Sequence, residues 1–488
     1  MGNIDDIKDI LRGALASLGG FGGRMVARLI LMIAAGHLYG AVPLGLLGQV
    51  AAITEILAAV AVLGLKRSLL DLMSEDEKEG RDPKRTLIAA LIVSLGLGIA
   101  MSLALGLSWS ILFPDIKMPA ILFAAIPCIV FAEVAGAAIR FKRIIRWEVI
   151  SRCVMEPWAF LAAAIALYFA GVGAGEAGLL IAYAVSTLAA AIGMVFGLNH
   201  AFSLMHLVRT GTDWYHLRAV PSRSFSVGIT DVGSMIFRRM DILVLSLVVG
   251  HGATGVYYMA QQIVTVPHKI HQLFEPMLSP VLAKLHHAAE KTLIATKLAS
   301  ICRWVFTLQL ALTVPLLVFG SDVLSLFGQE FVAGATVLVF LLLAELIDGS
   351  FALTETPLVF ARPAIPPKLV LAALVLESGA IYGFAALWGV FGAALGFLVS
   401  MVFLNMLRLF NLKQQLAISV LGLDYIWPLV FGGAIGLSLM VLKSNGLVSG
   451  SWETGVTIFL ALALNLMLVR LLAVTPMDKQ IFRQLRSS

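Results

Sequence analysis

The residues of this chain with the clearest chemical potential are four arginines inside apolar stretches. Arg24 and Arg28 lie within GGFGGRMVARLILMIAAGHLYG, and Arg238 and Arg239 lie within VGSMIFRRMDILVLSLVVGHGATG. Arg24 and Arg28 are four positions apart, so both project from the same face of a helix. A guanidinium group binds phosphate or carboxylate through two parallel N–H donors. The four arginines are therefore predicted to bind an anionic ligand.

The depth of these arginines in the apolar stretches is a second reason to expect a binding role. At 1.5 Å per residue, Arg24 lies about 18 Å and Arg28 about 12 Å along the helix from Gly36. An arginine near the middle of a bilayer costs at least about 2.5 kcal/mol, so we expect the set to line a central cavity. Two simpler interpretations stay open. Arg24 could extend to the membrane surface, and Arg238 could form a local ion pair with Asp241.

Carboxylates lie in the same kind of apolar stretch. Glu345 and Asp348 share a helix face, and adjacent buried carboxylates can share a proton, which would suit proton coupling. The alternative is that the acids are counter-ions of the arginines. We assign ion pairing or coupling to Asp241, Asp231, Glu345 and Asp348. Further acids inside the apolar stretches are Glu55, Glu133, Glu275, Glu355 and Glu377.

The other reactive residue types show no recognisable cofactor pattern. The nine histidines contain no HExxH, the three cysteines have no CxxC spacing, and no GxxxxGK[ST] motif is present. His268 and His271 are expected near the inner membrane surface. We therefore expect no metal site, no disulfide, no cofactor and no ATP hydrolysis by the chain itself.

The composition indicates which elements must position these residues. Of 488 residues, 60% are hydrophobic and 13% are charged, whereas soluble proteins average about 50% and 25%. A spanning helix takes about 20 residues, so the chain has room for about fourteen spans with short loops. The sequence predicts an all-α polytopic membrane protein. It excludes the disordered, secreted and disulfide-rich classes.

Fourteen apolar runs separated by charged or polar interruptions define the predicted spans. They are Ser17–Gly40, Leu44–Leu65, Leu87–Phe113, Pro119–Arg140, Val149–Ala170, Ala177–Leu198, Ser222–Val249, Ala253–Glu275, Thr296–Gly320, Gly334–Ala361, Lys368–Trp388, Val390–Phe410, Tyr425–Leu442 and Gly455–Ala473. The loops assigned to the outside hold only two basic residues, Lys117 and Lys443. This bias places both termini in the cytoplasm. It also explains the net charge of +6 without a nucleic-acid partner.

The first and seventh spans look like two copies of one unit. Both end in Gly-His, at Gly36 and at Gly250, and Arg24 and Arg238 each precede that glycine by twelve residues. Six spans per copy give the copies the same orientation, which predicts two six-helix lobes around a central cavity. The predicted segments are a cytoplasmic amphipathic segment (1–16), an N-lobe (17–198), a cytoplasmic linker (199–221), a C-lobe (222–412), two added helices (425–473) and a cytoplasmic tail (474–488).

Three stretches of the sequence carry a family resemblance. FRRMDILVLSLVVGHGATGVYYMAQQI resembles the R-x-D…G…G-x-Y-x-x-A segment of polysaccharide exporters in the multidrug/oligosaccharidyl-lipid/polysaccharide (MOP) exporter superfamily. LFGQEFVAGATVLVFLLLAELI resembles the same family's Phe-Gly-x-x-Phe approach to its next helix, and AAGHLYGAVPLGLLGQV matches more loosely. Within the superfamily, the chain looks most like Wzx-type flippases of O-antigen or lipid-linked oligosaccharide in the bacterial inner membrane.

The resemblance implies a flippase, not an enzyme, that moves an undecaprenyl-diphosphate-linked oligosaccharide from the cytoplasmic to the periplasmic leaflet by alternating access. It implies that Arg24, Arg28, Arg238 and Arg239 contact the diphosphate or acidic sugars, with Asp241 setting their geometry. The implied partners are the glycan lipid, membrane lipids and other membrane proteins of polysaccharide assembly. A monomer is expected to suffice.

Three other functions stay open. A cation-coupled multidrug exporter of the MATE type is the main alternative, although drug exporters that take cations would more naturally carry buried acids without this arginine set. Lipid II flippases share the fourteen-helix layout, but their first-span string around an early Arg-Asp pair is absent. An integral membrane glycosyltransferase or ligase is disfavoured because the external loops are short and no DxD-type motif is present.

Overall fold

The structure is a computed structural model that describes residues 23–114, 118–171, 176–287, 291–448 and 450–472. Within these ranges all regular secondary structure is helical, as predicted. The first ten helices are α1 (23–39), α2 (Ala41–Val62), α3 (Leu65–Lys78), α4 (Pro83–Leu112), α5 (Ala125–Phe141), α6 (Ile145–Val149), α7 (Glu156–Phe169), α8 (Glu176–Phe202), α9 (Leu204–Thr210) and α10 (Trp214–Val248). The remaining helices are α11 (His251–His287), α12 (Lys291–Val318), α13 (Gly320–Ser325), α14 (Ala335–Phe351), α15 (Glu355–Ala361), α16 (Ile365–Leu416), α17 (Ile426–Ser444) and α18 (Ser451–Leu472).

The helices accommodate the predicted spans. Ten helical segments of the described chain are long and apolar enough to cross a membrane. One of them, α16, is 52 residues long and breaks at Gly389, where φ is 60°. It therefore holds the eleventh and twelfth predicted spans. The first, seventh and eighth predicted spans overlap α1, α10 and α11, so every predicted span overlaps a helix. The predicted segments 1–16 and 474–488 lie outside the described residues.

Several helices continue beyond the predicted spans. Much of the charged stretch after the second span, predicted as a loop, forms α3. This helix is amphipathic, because Leu65, Leu69 and Met73 are buried while Lys66 and Arg67 are exposed. The predicted linker 199–221 is also largely helical, since it contains α9 and the beginning of α10. The segments between these predicted spans therefore contain more helix than the span boundaries indicate.

The chain divides into two compact units, one ending at Arg239 and one beginning at Met240. In the first unit, α5 packs against α2, α3, α4 and α8. Its buried face is rich in small residues, including Ala132, Ala135 and Gly136, which permit close approach of neighbouring helices. In the second unit, α14 packs against α11, α12 and α16, and α17 and α18 pack against α12.

Two glycines allow backbones to approach closely within the first unit. Gly64, at the α2–α3 junction, has φ +76°, and a Cβ built there would lie 2.4 Å from the backbone N of Gly228. A Cβ on Gly228 would in turn lie 2.8 Å from the backbone carbon of Leu63. Only glycine fits both the left-handed backbone and this spacing. The pair fixes where α10 crosses the α2–α3 junction.

Candidate functional site: charged side chains of the apolar helices

The arginines of α1 are partly exposed side chains on a helix with a mixed surface. Arg24 and Arg28 are half-buried, whereas Ala27 and Leu31 of the same helix are buried. Arg24 forms no ion pair with any residue that the structure describes. Its charge has an electrostatic influence on the thiol of Cys153. The sequence predicts a shared face for the two arginines, and α1 is helical through both positions.

Arg239 pairs with an acid of α2. Its Nε and Nη2 both donate to Oε2 of Glu55, at 2.9 and 2.6 Å. About a quarter of each side chain is exposed, at 25% and 29%. The neighbouring Arg238 is exposed and therefore lies on a different side of α10. The positive charge of Arg239 is compensated, and its guanidinium is held in a fixed orientation by the carboxylate.

A second group of ion pairs in the first unit surrounds Glu133 of α5. Its two carboxylate oxygens contact Lys66 Nζ at 3.1 Å and Arg152 Nη2 at 2.8 Å. Arg152 also contacts Glu156 Oε2 at 3.3 Å. Asp231, assigned from the sequence to ion pairing or coupling, lies 3.2 Å from Arg67 Nε. These acids are counter-ions of basic residues, the simpler of the two roles expected for acids in the apolar stretches.

A further cluster ties the α3–α4 turn to the beginning of α10. Arg81 Nε donates to Asp76 at 2.8 Å, and Arg85 Nη1 donates to Asp213 at 3.2 Å. The Asp213 carboxylate accepts hydrogen bonds from the backbone N of His216 at 3.0 Å and from its ring Nδ1 at 2.6 Å. These bonds lower the pKa of Asp213 from 3.8 to about 2. Asp213 is therefore ionised over the whole physiological pH range.

In the second unit, Asp241 is fully buried and bonded to α11. Its Oδ2 accepts hydrogen bonds from the Tyr257 hydroxyl and from Gln261 Nε2, both at 2.9 Å. Glu377 of α16 is also fully buried, its carboxylate oxygens make no hydrogen bond to the described residues, and the charge of Asp241 acts on it. A buried carboxyl group without a hydrogen-bond partner favours a held proton or a bound cation. Asp241 itself belongs to a polar contact between α10 and α11.

Glu345 and Asp348 contact different side chains. Glu345 Oε2 lies 2.9 Å from His268 Nδ1. Asp348 Oδ1 accepts a hydrogen bond from Arg408 Nη1 at 2.7 Å, and Arg408 Nη2 lies 2.8 Å from Glu355 Oε2. The shared helix face predicted for the two acids therefore does not make them a single pair. Each acid has its own partner on another helix.

Sequence reasoning missed several members of these clusters. Arg152 and Arg408 lie inside predicted spans, and the same rule that singled out Arg24 would have found both. Neither residue lies in one of the two spans with a repeated Gly-His ending. His268, His271 and Glu345 offer ligand atoms within 4.8 Å of one another, which is the one group of three possible metal ligands in the described residues. No spacing motif announces this group, because Glu345 lies on another helix.

The fold is that of transporters in the MOP superfamily. The chain is similar to the lipid II flippase MurJ in an inward closed conformation, with 13% identity, 94% of this chain and 98% of that chain covered, and a TM-score of 0.72. It is also similar to an inward-facing MATE multidrug resistance transporter of the MOP superfamily, with 15% identity, 81% and 94% of the two chains covered, and a TM-score of 0.67. A MOP superfamily transporter from Pyrococcus furiosus matches at 15% identity over 84% and 96% of the chains, with a TM-score of 0.60.

The sequence itself defines the family. Residues 42–342 match the polysaccharide biosynthesis protein family, so the chain belongs to that family. No curated protein matches the chain. The predicted resemblance to the polysaccharide branch of the MOP superfamily is confirmed at the level of family and fold, and the narrower Wzx-type resemblance stays a prediction.

Proposed function

We propose that the chain is a flippase that moves an undecaprenyl-diphosphate-linked oligosaccharide, such as an O-antigen or exopolysaccharide repeat unit, across the bacterial inner membrane. The observation that carries the proposal is the set of arginines on α1 and α10 in a member of the polysaccharide biosynthesis family. Such a cargo combines an anionic diphosphate, a polar glycan and a polyprenyl tail. Arginine provides the paired donors that a diphosphate accepts.

The contacts of the arginines suggest a division of roles. Arg24 forms no ion pair with the described residues, and Arg28 follows one turn later on α1. We assign anion contact to these two and to the exposed Arg238. Arg239 is held by Glu55, so its contribution is to fix the position of α10 against α2. In this proposal Asp241 acts on α11 through Tyr257 and Gln261.

The transport cycle belongs to the same proposal. The protein alternates access of the anion-binding arginines between the leaflets, and the tail of the cargo stays in lipid. Both termini lie in the cytoplasm on the basis of the charge bias. The buried carboxyl groups of Asp241 and Glu377 are candidate places for a coupling proton or cation. A single chain carries the whole cycle.

Two other cargoes are supported by a particular observation. The similarity to MurJ favours lipid II, whose diphosphate would use the same arginines. The similarity to MATE transporters and the buried carboxyl groups of Asp241 and Glu377 favour a cation-coupled multidrug exporter. A cationic drug would be repelled by the arginines, so charge reversal separates the two classes of cargo: it abolishes transport of an anion and improves binding of a cation.

The experiment uses reconstituted protein and a fluorescent undecaprenyl-diphosphate oligosaccharide. Full-length wild-type protein is expected to expose the glycan to a lectin on the opposite face of the vesicle. Arg24→Glu with Arg28→Glu is expected to lower the initial rate at least about tenfold, because two charge-assisted contacts are replaced by repulsion. Arg209→Glu reverses the charge of one exposed arginine of α9, half the charge change of the double variant, and serves as the control.

Three outcomes would contradict the proposal. Equal rates in the wild type and the double variant would show that Arg24 and Arg28 do not bind the cargo. Transport of lipid II but not of other lipid-linked oligosaccharides would assign the cargo to cell-wall synthesis. Normal surface polysaccharide in cells lacking the gene, together with lost resistance to cationic dyes, would assign the chain to drug export.

A further inference from the structure

We propose that His268, His271 and Glu345 form a binding site for a first-row transition-metal ion, with Zn²⁺ as the best match. Nδ1 of His268 lies 2.9 Å from Oε2 of Glu345, and Nδ1 of His271 lies 3.9 Å from Oε1. One ligand atom from each residue lies within 4.8 Å of the other two. Two imidazoles and one carboxylate suit zinc better than they suit magnesium or calcium, which prefer oxygen ligands only. The site is independent of the proposed cargo.

The backbone places the three donors on facing surfaces. His268 and His271 are three positions apart on α11 and so share a face of that helix. Their rings pack edge to face, with centroids 4.8 Å apart and an interplanar angle of 82°. Glu345 projects from α14, which packs directly against α11. An ion bound here would tie α11 to α14.

The spacing of the ligand atoms can be compared with that of a zinc site. Zinc lies about 2.0–2.2 Å from nitrogen and oxygen ligands, so ligand atoms of a tetrahedral site are about 3.4 Å apart. His268 Nδ1 and His271 Nδ1 approach different oxygens of Glu345, and the three ligand atoms lie within 4.8 Å of one another. The widest separation must therefore shorten by about 1.4 Å at most, which rotation about side-chain bonds provides. Three protein ligands leave a fourth position for water or an anion.

Burial makes the site selective for a bound cation. His271 is 6% exposed and Glu345 is 9% exposed. A carboxylate in such a position gains more from a divalent charge than it would at the surface, because the surroundings screen the attraction less.

Neighbouring amides hold the ligands in the metal-free form. His268 Nε2 lies 3.1 Å from Gln272 Nε2, so the amide donates to the ring while Nδ1–H donates to Glu345. Gln272 Oε1 in turn accepts a hydrogen bond from Lys269 Nζ at 2.7 Å. With a metal on Nδ1 the ring proton lies on Nε2, so the Gln272 amide no longer donates to the ring. Gln309 Nε2 lies 3.4 Å from Glu345 Oε1 and orients the carboxylate. The Gln309 amide fits against α14 because residue 349 is glycine. A Cβ at Gly349 would lie 1.9 Å from the Gln309 amide nitrogen.

The test is direct metal binding by the full-length protein in detergent, purified with a tag that contains no histidine. The chain is stripped with a chelator and dialysed against Zn²⁺, and bound zinc is counted by mass spectrometry. We expect one ion per chain in the wild type. His268→Ala, His271→Ala and Glu345→Gln should each weaken zinc binding at least about tenfold, because each removes one ligand. His37→Ala with His206→Ala removes two exposed histidines outside the cluster and should change nothing.

Two results would overturn the site. One is a wild-type chain that retains no zinc after dialysis. The other is equal affinity in the wild type and in the His268 and His271 variants. A measurement on the wild type alone covers the case in which a variant misfolds. Co²⁺ should give the intense visible absorption of a tetrahedral site, and the weak spectrum of an octahedral ion would contradict the assigned ligands.

Discussion

Removal of Arg408 gives the sharpest test of the ion pairs in the second unit. Arg408 is 9% exposed and lies between two acids. Its Nη1 donates to Asp348 Oδ1 at 2.7 Å, and its Nε donates to Glu355 Oε2 at 3.0 Å. Arg408→Met keeps a long apolar side chain and removes the charge. The change leaves two carboxylates facing each other without their shared cation.

The magnitude follows from the burial of the three side chains. Breaking a buried ion pair by removing one partner costs about 3–5 kcal/mol. The Asp348 and Glu355 side chains are 19% and 29% exposed, so partial solvation reduces the penalty. We therefore expect a loss of about 3 kcal/mol in the free energy of unfolding, at the lower end of that range. For a body of about 250 residues, this corresponds to a fall of about 6 °C in Tm.

The assay is thermal unfolding of the detergent-solubilised full-length protein, followed by loss of the monodisperse peak in size-exclusion chromatography. Arg408→Met combined with Asp348→Asn and Glu355→Gln removes all three charges and should recover most of the lost stability, because no charge stays buried without a partner. Arg362→Met replaces an exposed arginine and should shift Tm by little. An unchanged Tm in Arg408→Met, or a triple variant less stable than the single one, would refute the reasoning.

Two further predictions concern the first unit. Gly64→Ala should lower the free energy of unfolding by more than about 1 kcal/mol, because the new Cβ meets Gly228 in addition to the strain of a positive φ. Gly80 has φ +74° and open space around it, so Gly80→Ala measures the backbone strain alone. Similar Tm values for the two variants in a thermal scan would show that the contact with Gly228 does not contribute. Since the pKa of Asp213 is lowered from 3.8 to about 2, its ionised form contributes stability above about pH 4, and that contribution is lost as the pH falls toward 2. Asp213→Asn should therefore lower Tm at neutral pH and flatten the dependence of Tm on pH between 4 and 2, and parallel curves for the two proteins would contradict this.

The span layout could be predicted from sequence because it depends on local hydropathy. Every predicted span overlaps a helix, and even the kink at Gly389 falls at the boundary between two predicted spans. The extent of the helices could not be predicted in this way. Polar residues of α3 form a helix because its leucines pack on the rest of the unit, and a hydropathy window does not register that contact.

Partner choice among the charged residues was the part that sequence reasoning could not supply. Arg239 is visible as a charge in an apolar stretch, but its acid, Glu55, is 184 positions away. Glu345 pairs with His268, 77 positions away, instead of acting with the nearby Asp348. Such pairs depend on how helices pack, and packing is decided by side chains over their whole length. Spacing along one helix identifies a face but not what lies against it.

The hydrogen bonds of Asp241 have a consequence for how the protein enters the membrane. α10 and α11 are joined by only Val249 and Gly250, and neither helix is among the ten segments apolar enough to span alone. Asp241 on α10 is satisfied by Tyr257 and Gln261 on α11. In lipid an unsatisfied carboxylate is costly, so we expect the two helices to insert together as a hairpin, with the bonds already formed. Substitutions elsewhere in α10 should then disturb membrane insertion less than the loss of the contact between Asp241 and α11.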